Sequence, residues 1–367
     1  MSKATSFNKR VFTFAALVLA LSLLTSCVFS GMGASMAEAA GAARDWGSYS
    51  AQKPLNLKFS SVGASSSRAG GVTRASSVFK LGELFKEKIE AMTDGAVRVT
   101  LYSDGVLGND RQSLDGVIAG VIELAANNIP IITNYAQEFQ VLDLPFLFRD
   151  YDHAVAFLKS DVSRELADYL TPKGARILTM TLTGMRGIHT INRFVPTLDA
   201  IRGLKIRVTE GAYYLRSMTA WGAAPQSLSQ SEVLPALSTG ALEATELAPA
   251  NLILGSVSQT EFIKYLTISN HVAHFSALTM NNALYESLTP DLREAFDICS
   301  SEAGLELSYE MVDLNQEALQ VLTDEYGCQY SFEFDKRAFE EAVQPMIDEF
   351  KSTHPAAAYY DRISEIR

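Results

Sequence analysis

Apolar and polar residues alternate at Leu55, Leu57 and Phe59, and apolar residues then recur at helical spacing at Val78, Leu81, Phe85, Ile89 and Met92. The first pattern predicts a strand with one buried face. The second predicts an amphipathic helix, ended by Thr93-Asp94-Gly95. Val97, Val99 and Leu101 alternate again, Leu114, Val117, Ile118 and Val121 return to helical spacing, and 122–126 is a short apolar run. This β-α-β-α-β order predicts a parallel sheet with helices on its faces. Residues 60–76, rich in Ser, Gly and Ala, read as a loop on the rim of a site.

Beyond Asp150, an expected N-cap, the spacing of Val155, Leu158, Val162 and Leu166 predicts one further helix, and 177–182 the next strand. Between Arg186 and Asn270 a second α/β unit follows, with strands near Ile188, Ile206 and Leu228. Ser229 and Glu232 form a capping box for a helix through Leu237, which Pro235 is expected to kink or shorten. Thr289-Pro290-Asp291 opens a helix whose apolar positions run to about Leu322. Two α/β units joined by more than one crossing predict a bilobed α/β fold. Its ligand would lie in the cleft, beyond the carboxyl ends of the strands. Crossings near 181–183 and 269–273 are the expected hinges. Lobe I is expected to hold 53–182 with 272–310, and lobe II 183–271 with 311–367.

Lys3, Lys9 and Arg10 precede an apolar stretch at 11–24 that is too short to span a bilayer, the pattern of an export signal. Leu24-Thr25-Ser26-Cys27 reads as a lipobox with Cys27 as the acylated residue, while small residues at 35–37 and 37–39 offer a rival cut. Residues 28–52 read as a flexible tether, so the expected location is the periplasm, with lipid holding the chain at a membrane surface. The net charge of −11, without basic runs, excludes nucleic acid as a partner and leaves any anion to be captured by local Arg residues. Export permits a disulfide between Cys299 and Cys328, and two free thiols fit as well. Signatures of nucleophilic, nucleotide-dependent or zinc enzymes are missing.

In Lys205-Ile206-Arg207-Val208 apolar and basic residues alternate, which places Arg207 on the face opposite the core, wet or meeting an anion. Gly203-Leu204 precedes this strand. Gly222-Ala223-Ala224-Pro225, Ser231-Glu232-Val233, Ala236-Leu237, Gly240 and Glu243-Ala244-Thr245-Glu246 follow it in order. Upstream stand Asp104-Gly105-Val106-Leu107-Gly108 and Leu144-Pro145-Phe146-Leu147-Phe148. Together these motifs resemble the solute receptors of tripartite ATP-independent periplasmic (TRAP) transporters, over about residues 53–365.

The resemblance implies that Arg207 holds the carboxylate of a small organic acid by a paired salt bridge, which a planar guanidinium forms and Lys does not. It puts Arg186 where relatives have a second Arg. Glu246 stands where a carboxylate reaches a ligand hydroxyl or a cation bridging to the solute, so the expectation of no cofactor leaves a cation near Glu246 open. Glu243 replaces the family's usual Asp, and Leu247 its Trp, Phe or Asn, which removes an aromatic lid or an amide donor. Asn127 and Asn128 end an apolar strand at a ligand-contact position, and Tyr213 and Tyr214 open the helix after Arg207, with one of them, Tyr213 first, expected to stack or hydrogen-bond with the ligand in the cleft. Phe146 and Phe148 read as core beneath the cleft, and Asp143 and Arg149 as structural. His271 and His274 are spaced for one helix face, without a third metal ligand. The implied partner is a membrane permease. The rivals are a periplasmic enzyme acting on a sugar acid or keto acid, with Glu246 as base, and a solute sensor for a signalling receptor.

Overall fold

The computed structural model of the chain describes residues 44–255 and 257–367, so the expected export signal, Cys27 and the rival cut sites lie outside the described residues. Residues Trp46–Arg367 form one compact unit; of the stretch before it, only Arg44 and Asp45 are described. Among the described residues eleven strands occur: β1 (Leu55–Ser60), β2 (Ser67–Ala69), β3 (Val72–Arg74), β4 (Val97–Tyr102), β5 (Leu124–Asn128), β6 (Ala175–Thr190), β7 (Lys205–Val208), β8 (Ala224–Ser227), β9 (Ala244–Leu247), β10 (Tyr265–Asn281) and β11 (Gln329–Ser331). The helices that position the site are α1 (Ser77–Met92), α2 (Asp110–Ile118), α3 (Tyr151–Lys159), α4 (Asp161–Asp168), α5 (Ala212–Ala220), α6 (Gln230–Ser238), α7 (Pro249–Leu254), α8 (Pro290–Tyr326), α9 (Lys336–Thr353) and α10 (Ala357–Ser364).

One sheet runs β4-β1-β5-β10-β6-β9-β7-β8, with β11 added to β10. Its two ends build the two lobes, and β6 and β10 belong to both. Pairing is parallel at the ends, where β1 joins β4 and β5, and β7 joins β8 and β9. It is antiparallel through the middle, from β5 to β10, β6 and β9. The three opening strands pair in parallel, as their β-α-β-α-β order predicts, and the antiparallel middle joins them to the second α/β unit. The two central strands are 16 and 17 residues long and fold back on each other as a ribbon.

The strands expected at 177–182 and near Ile188 are one strand. Gly184 reads as a break in the sequence but sits inside β6, at φ 143°. A Cβ there would come within 2.6 Å of the Ala248 Cβ and 2.7 Å of Asn315, so packing as well as backbone angle demands glycine. The register of β6 on β10 slips between Thr267 and Val272 and between His274 and Phe275, close to the expected crossings. Such irregularities bend a ribbon.

Several local expectations are corrected. Residues 60–76 hold the β2–β3 hairpin, turned by Gly70 and Gly71 at φ 64° and 68°, the left-handed pair that tight hairpins use. The helix after Asp150 is broken at Ser160, whose extended backbone ends α3 and whose hydroxyl caps α4. His271 and His274 lie on β10 and not on a helix. Pro235 is accommodated inside the nine-residue α6.

Apolar faces meet on both sides of the sheet. Leu57, Phe59, Phe85 and Phe296 belong to one cluster, and Phe148, Phe157, Phe275, Ile206 and Phe339 to the other. Phe148 contacts Phe157 and Phe275, and Phe146 lies against Trp221 and Phe334, as core packing requires. Arg149 donates to the carbonyls of Ser364 and Ile366 and so ties down the end of α10. Cys299 and Cys328 are both buried and are not joined in a disulfide. No described helix is long and apolar enough to cross a membrane.

Candidate functional site

A cavity of about 670 Å³ opens between the two ends of the sheet, within the range of small-ligand sites. The first turns of three helices reach it: Ser77 and Val78 of α1, Asp110 and Arg111 of α2, and Gln230 and Ser231 of α6. The positive ends of these helix dipoles favour an anionic occupant. Asn128 comes to the cavity from the end of β5, and Arg207 from the last turn of β7.

Arg207 is only 6 % exposed, so the solvated face expected from its strand alternation is in fact closed over. Its Nε donates to the carbonyl of Leu228 at 2.9 Å, and it forms no salt bridge with any described carboxylate. Burial, followed by the charge of Arg186, lowers its pKa to about 10. It is therefore still a cation at neutral pH, lining the cavity without a salt-bridge partner among the described residues.

Arg186 also lines the cavity, but it is paired. Its Nε lies 2.5 Å from Glu246 Oε1, its Nη2 donates to the Glu246 carbonyl, and its guanidinium stands over the Tyr214 ring at 5.1 Å. Burial alone would raise the Glu246 pKa. The charge of Arg186, helped by His271 at 3.3 Å, overrides it and holds the carboxyl at about 2. Glu246 is fully buried behind Arg186 and does not line the cavity, so the structure does not bring it to the ligand. A carboxylate held so low is a weak base, which argues against Glu246 as the base of a proton transfer.

The two amides separate. Asn127 is fully buried, contrary to the expectation of a ligand contact; its Nδ2 donates to Asp110 Oδ1 at 2.7 Å and its Oδ1 accepts from Thr279 Oγ1 at 2.7 Å. Asn128 lines the cavity, donates from Nδ2 to Asp110 Oδ2 at 2.8 Å and accepts from Ser276 at 2.9 Å. Tyr213 turns away from the cavity, packing edge-on against Phe350 of α9, while Tyr214 lies beneath Arg186.

Sequence reasoning missed Asp110, Gln259 and the Arg111–Glu210 pair. Asp110 opens α2 and faces the cavity; burial raises its pKa against the pull of the Asn127 and Asn128 amides. Arg111 Nη2 donates to Glu210 Oε2 at 3.0 Å, joining α2 to the loop after β7 across the cavity. The Asn-Asp sequence at an N-cap and the acid three residues past Arg207 were the available signals; neither says that the groups meet. His274 lines the cavity and shares a 2.7 Å hydrogen bond with Thr183. No cluster of three or more His, Cys, Asp or Glu suited to a metal occurs among the described residues.

The chain is 28 % identical over 303 residues to the C4-dicarboxylate-binding periplasmic protein DctP of Rhodobacter capsulatus, covering 81 % of this chain and 86 % of the relative. It is 27 % identical to the 2,3-diketo-L-gulonate-binding periplasmic protein YiaO of Escherichia coli, covering 82 % and 91 %. A TRAP periplasmic solute-binding protein from a Polaromonas species, solved with D-erythronate, superposes with a TM-score of 0.78 at 22 % identity, covering 85 % of this chain and 99 % of the other. The sugar acid binding protein of Advenella mimigardefordensis, solved with galactonate, gives a TM-score of 0.75 at 25 % identity, covering 85 % and 98 %. These relatives are binding proteins and not enzymes. The profile of the bacterial extracellular solute-binding proteins, family 7 (DctP), matches residues 69–353, and the chain belongs to that family.

Proposed function

We propose that this receptor captures a small hydroxylated organic acid of the sugar-acid type in the cleft, with its carboxylate on Arg207, and delivers it to the membrane permease of a TRAP transporter. The observation that carries the reading is Arg207 itself: a buried guanidinium on a cavity wall with no carboxylate partner in the described protein. A carboxylate ligand supplies that partner through two parallel hydrogen bonds. D-erythronate and galactonate in structural relatives agree with the chemistry. Lobe closure about β6 and β10, with boundaries near residues 182 and 272, belongs to the same reading. So does a periplasmic location with Cys27 as an acylated anchor, which metabolic labelling with a palmitate analogue in wild type and Cys27→Ala tests.

The direct test is a thermal-shift and calorimetric screen of the purified protein against hydroxy, keto, dicarboxylic and sugar acids. A ligand at 100 times its Kd stabilises a fold by about 2.7 kcal/mol, a shift of several degrees. A shift for hydroxylated acids that disappears in Arg207→Met supports the reading. No shift with any acid, or an undiminished one in the variant, overturns it.

A further inference from the structure

Seven buried side-chain polar atoms among the described residues have no hydrogen-bond partner, and one of them belongs to a residue of the cavity wall: Gln259 Oε1. Gln259 sits in the 3-10 turn Val257–Glu261 and is 2 % exposed. Its backbone carbonyl is well used, accepting from Phe262 N at 3.0 Å and Ile263 N at 2.8 Å, so the turn is firmly made. The side-chain amide oxygen is held out of water with nothing donating to it. Folded proteins avoid that arrangement except where a site needs it.

The position of the turn gives the group a purpose. The turn packs on α6, and the loop leading into α6 carries Leu228, whose carbonyl anchors Arg207. One helix therefore links the carboxylate-binding guanidinium to the unpartnered amide. Leu234, Leu247 and Leu254 supply apolar wall near by and offer no polar side chain to a ligand. The Asp110 carboxyl also lines the cavity, and the remaining cavity arginines, Arg111 and Arg186, are already paired with Glu210 and Glu246. The cavity thus offers one guanidinium without a carboxylate partner among the described residues and, besides it, the acceptors Asp110 and Gln259.

We propose that Gln259 is a specificity-determining ligand contact, its amide reading a hydroxyl of the acid bound at Arg207. The proposal rests on the receptor function given above and deepens it: the substrate class is a hydroxylated monocarboxylate. A hydroxyl answers an amide in either orientation, because it both donates and accepts, whereas a second carboxylate accepts only and would face Asp110. Dicarboxylates and acids without hydroxyls are discriminated against for the same reason.

Titration calorimetry tests this with D-galactonate, D-erythronate, succinate and butyrate on the full chain, Gln259→Leu, Gln259→Met and Arg207→Met. The wild type is expected to prefer the two hydroxylated monocarboxylates. Gln259→Leu and Gln259→Met weaken the better of these by ~10- to 100-fold, and butyrate by less than twofold, because only the hydroxylated ligand loses a partner. Melting temperatures of the ligand-free variants stay level or rise, since an unpartnered buried acceptor has been removed; a merely structural glutamine would lower them. Hydroxy-acid affinity within about twofold of wild type in both variants overturns the contact while leaving the receptor reading intact. Equal loss for all acids with a lowered melting temperature assigns Gln259 to the fold and also overturns it. A wild type that binds no acid sinks the receptor reading and this contact with it.

Discussion

Arg186 Nε lies 2.5 Å from Glu246 Oε1, and neither side chain is more than 3 % exposed. Taking two charges out of water is expensive, so such a pair holds only while both partners are present. Glu246→Gln is expected to destabilise the protein by about 3–5 kcal/mol at neutral pH, read from urea unfolding. The Glu246 carboxyl is depressed to about 2, so its contribution is present above the unfolded value of about 4.3 and is lost as pH falls through 2. The difference between wild type and variant should therefore shrink in that window. A difference under about 1 kcal/mol at pH 7 would show that the pair does not behave as a buried one.

Arg207 makes the opposite prediction. Its buried charge has no protein partner, so Arg207→Met should leave the ligand-free fold equally or more stable while weakening acid binding by about 2–5 kcal/mol. Arg207→Lys keeps a charge but not the planar fork, and should recover only part of the loss. Calorimetry and chemical denaturation on the same three proteins separate the two effects. Retained affinity in Arg207→Met would remove this residue as the anchor.

How much of this was legible in the sequence depended on range. The periods of β1, β4 and α1 were readable because each element keeps one apolar face of its own. β6 was not, since Gly184 reads as a break until Ala248 and Asn315 are seen to need the space. Asn127 and Asn128 are identical side chains one residue apart. Only the pleat, which sends one inward to Thr279 and the other to the cavity, tells them apart. Gln259 carries no local signal, because its lack of a partner is a property of the packed turn. The order and spacing of the motifs around Arg207 were legible for the reverse reason: they follow one another along consecutive elements from β7 to β9.

Arg111 and Glu210 join α2 to the loop after β7, and their side chains are 45 % and 42 % exposed. An ion pair this wet contributes little to global stability, ~0.2–1 kcal/mol, and is screened by salt. Its place across the cavity means that it acts on opening. Arg111→Met and Glu210→Gln should each raise the ligand dissociation rate a few-fold in low salt, and the difference from wild type should vanish in molar salt. Stopped-flow displacement measures both. A dissociation rate in wild type that does not respond to salt would exclude a role in holding the cleft shut.

His189 is fully buried, on the strand that carries Arg186. Its Nε2 lies 2.9 Å from the Leu247 carbonyl and donates to it, while Nδ1 has no partner. Burial, with His271 near by, lowers its pKa to about 4, because a second proton would have to sit on that unpartnered nitrogen. The unfolded chain takes up the proton near 6.5, so between 6.5 and about 4 the unfolded state binds more protons than the folded one. Stability is therefore intact above 6.5 and falls as the solution is acidified through the window, by up to about 1.4 kcal/mol per pH unit for one group. In His189→Gln, whose amide is still a donor, that slope should flatten by this amount even if the variant is less stable throughout. Unfolding free energies at several pH values from 4 to 7 decide the matter, and parallel curves for the two proteins would mean that His189 does not titrate with folding.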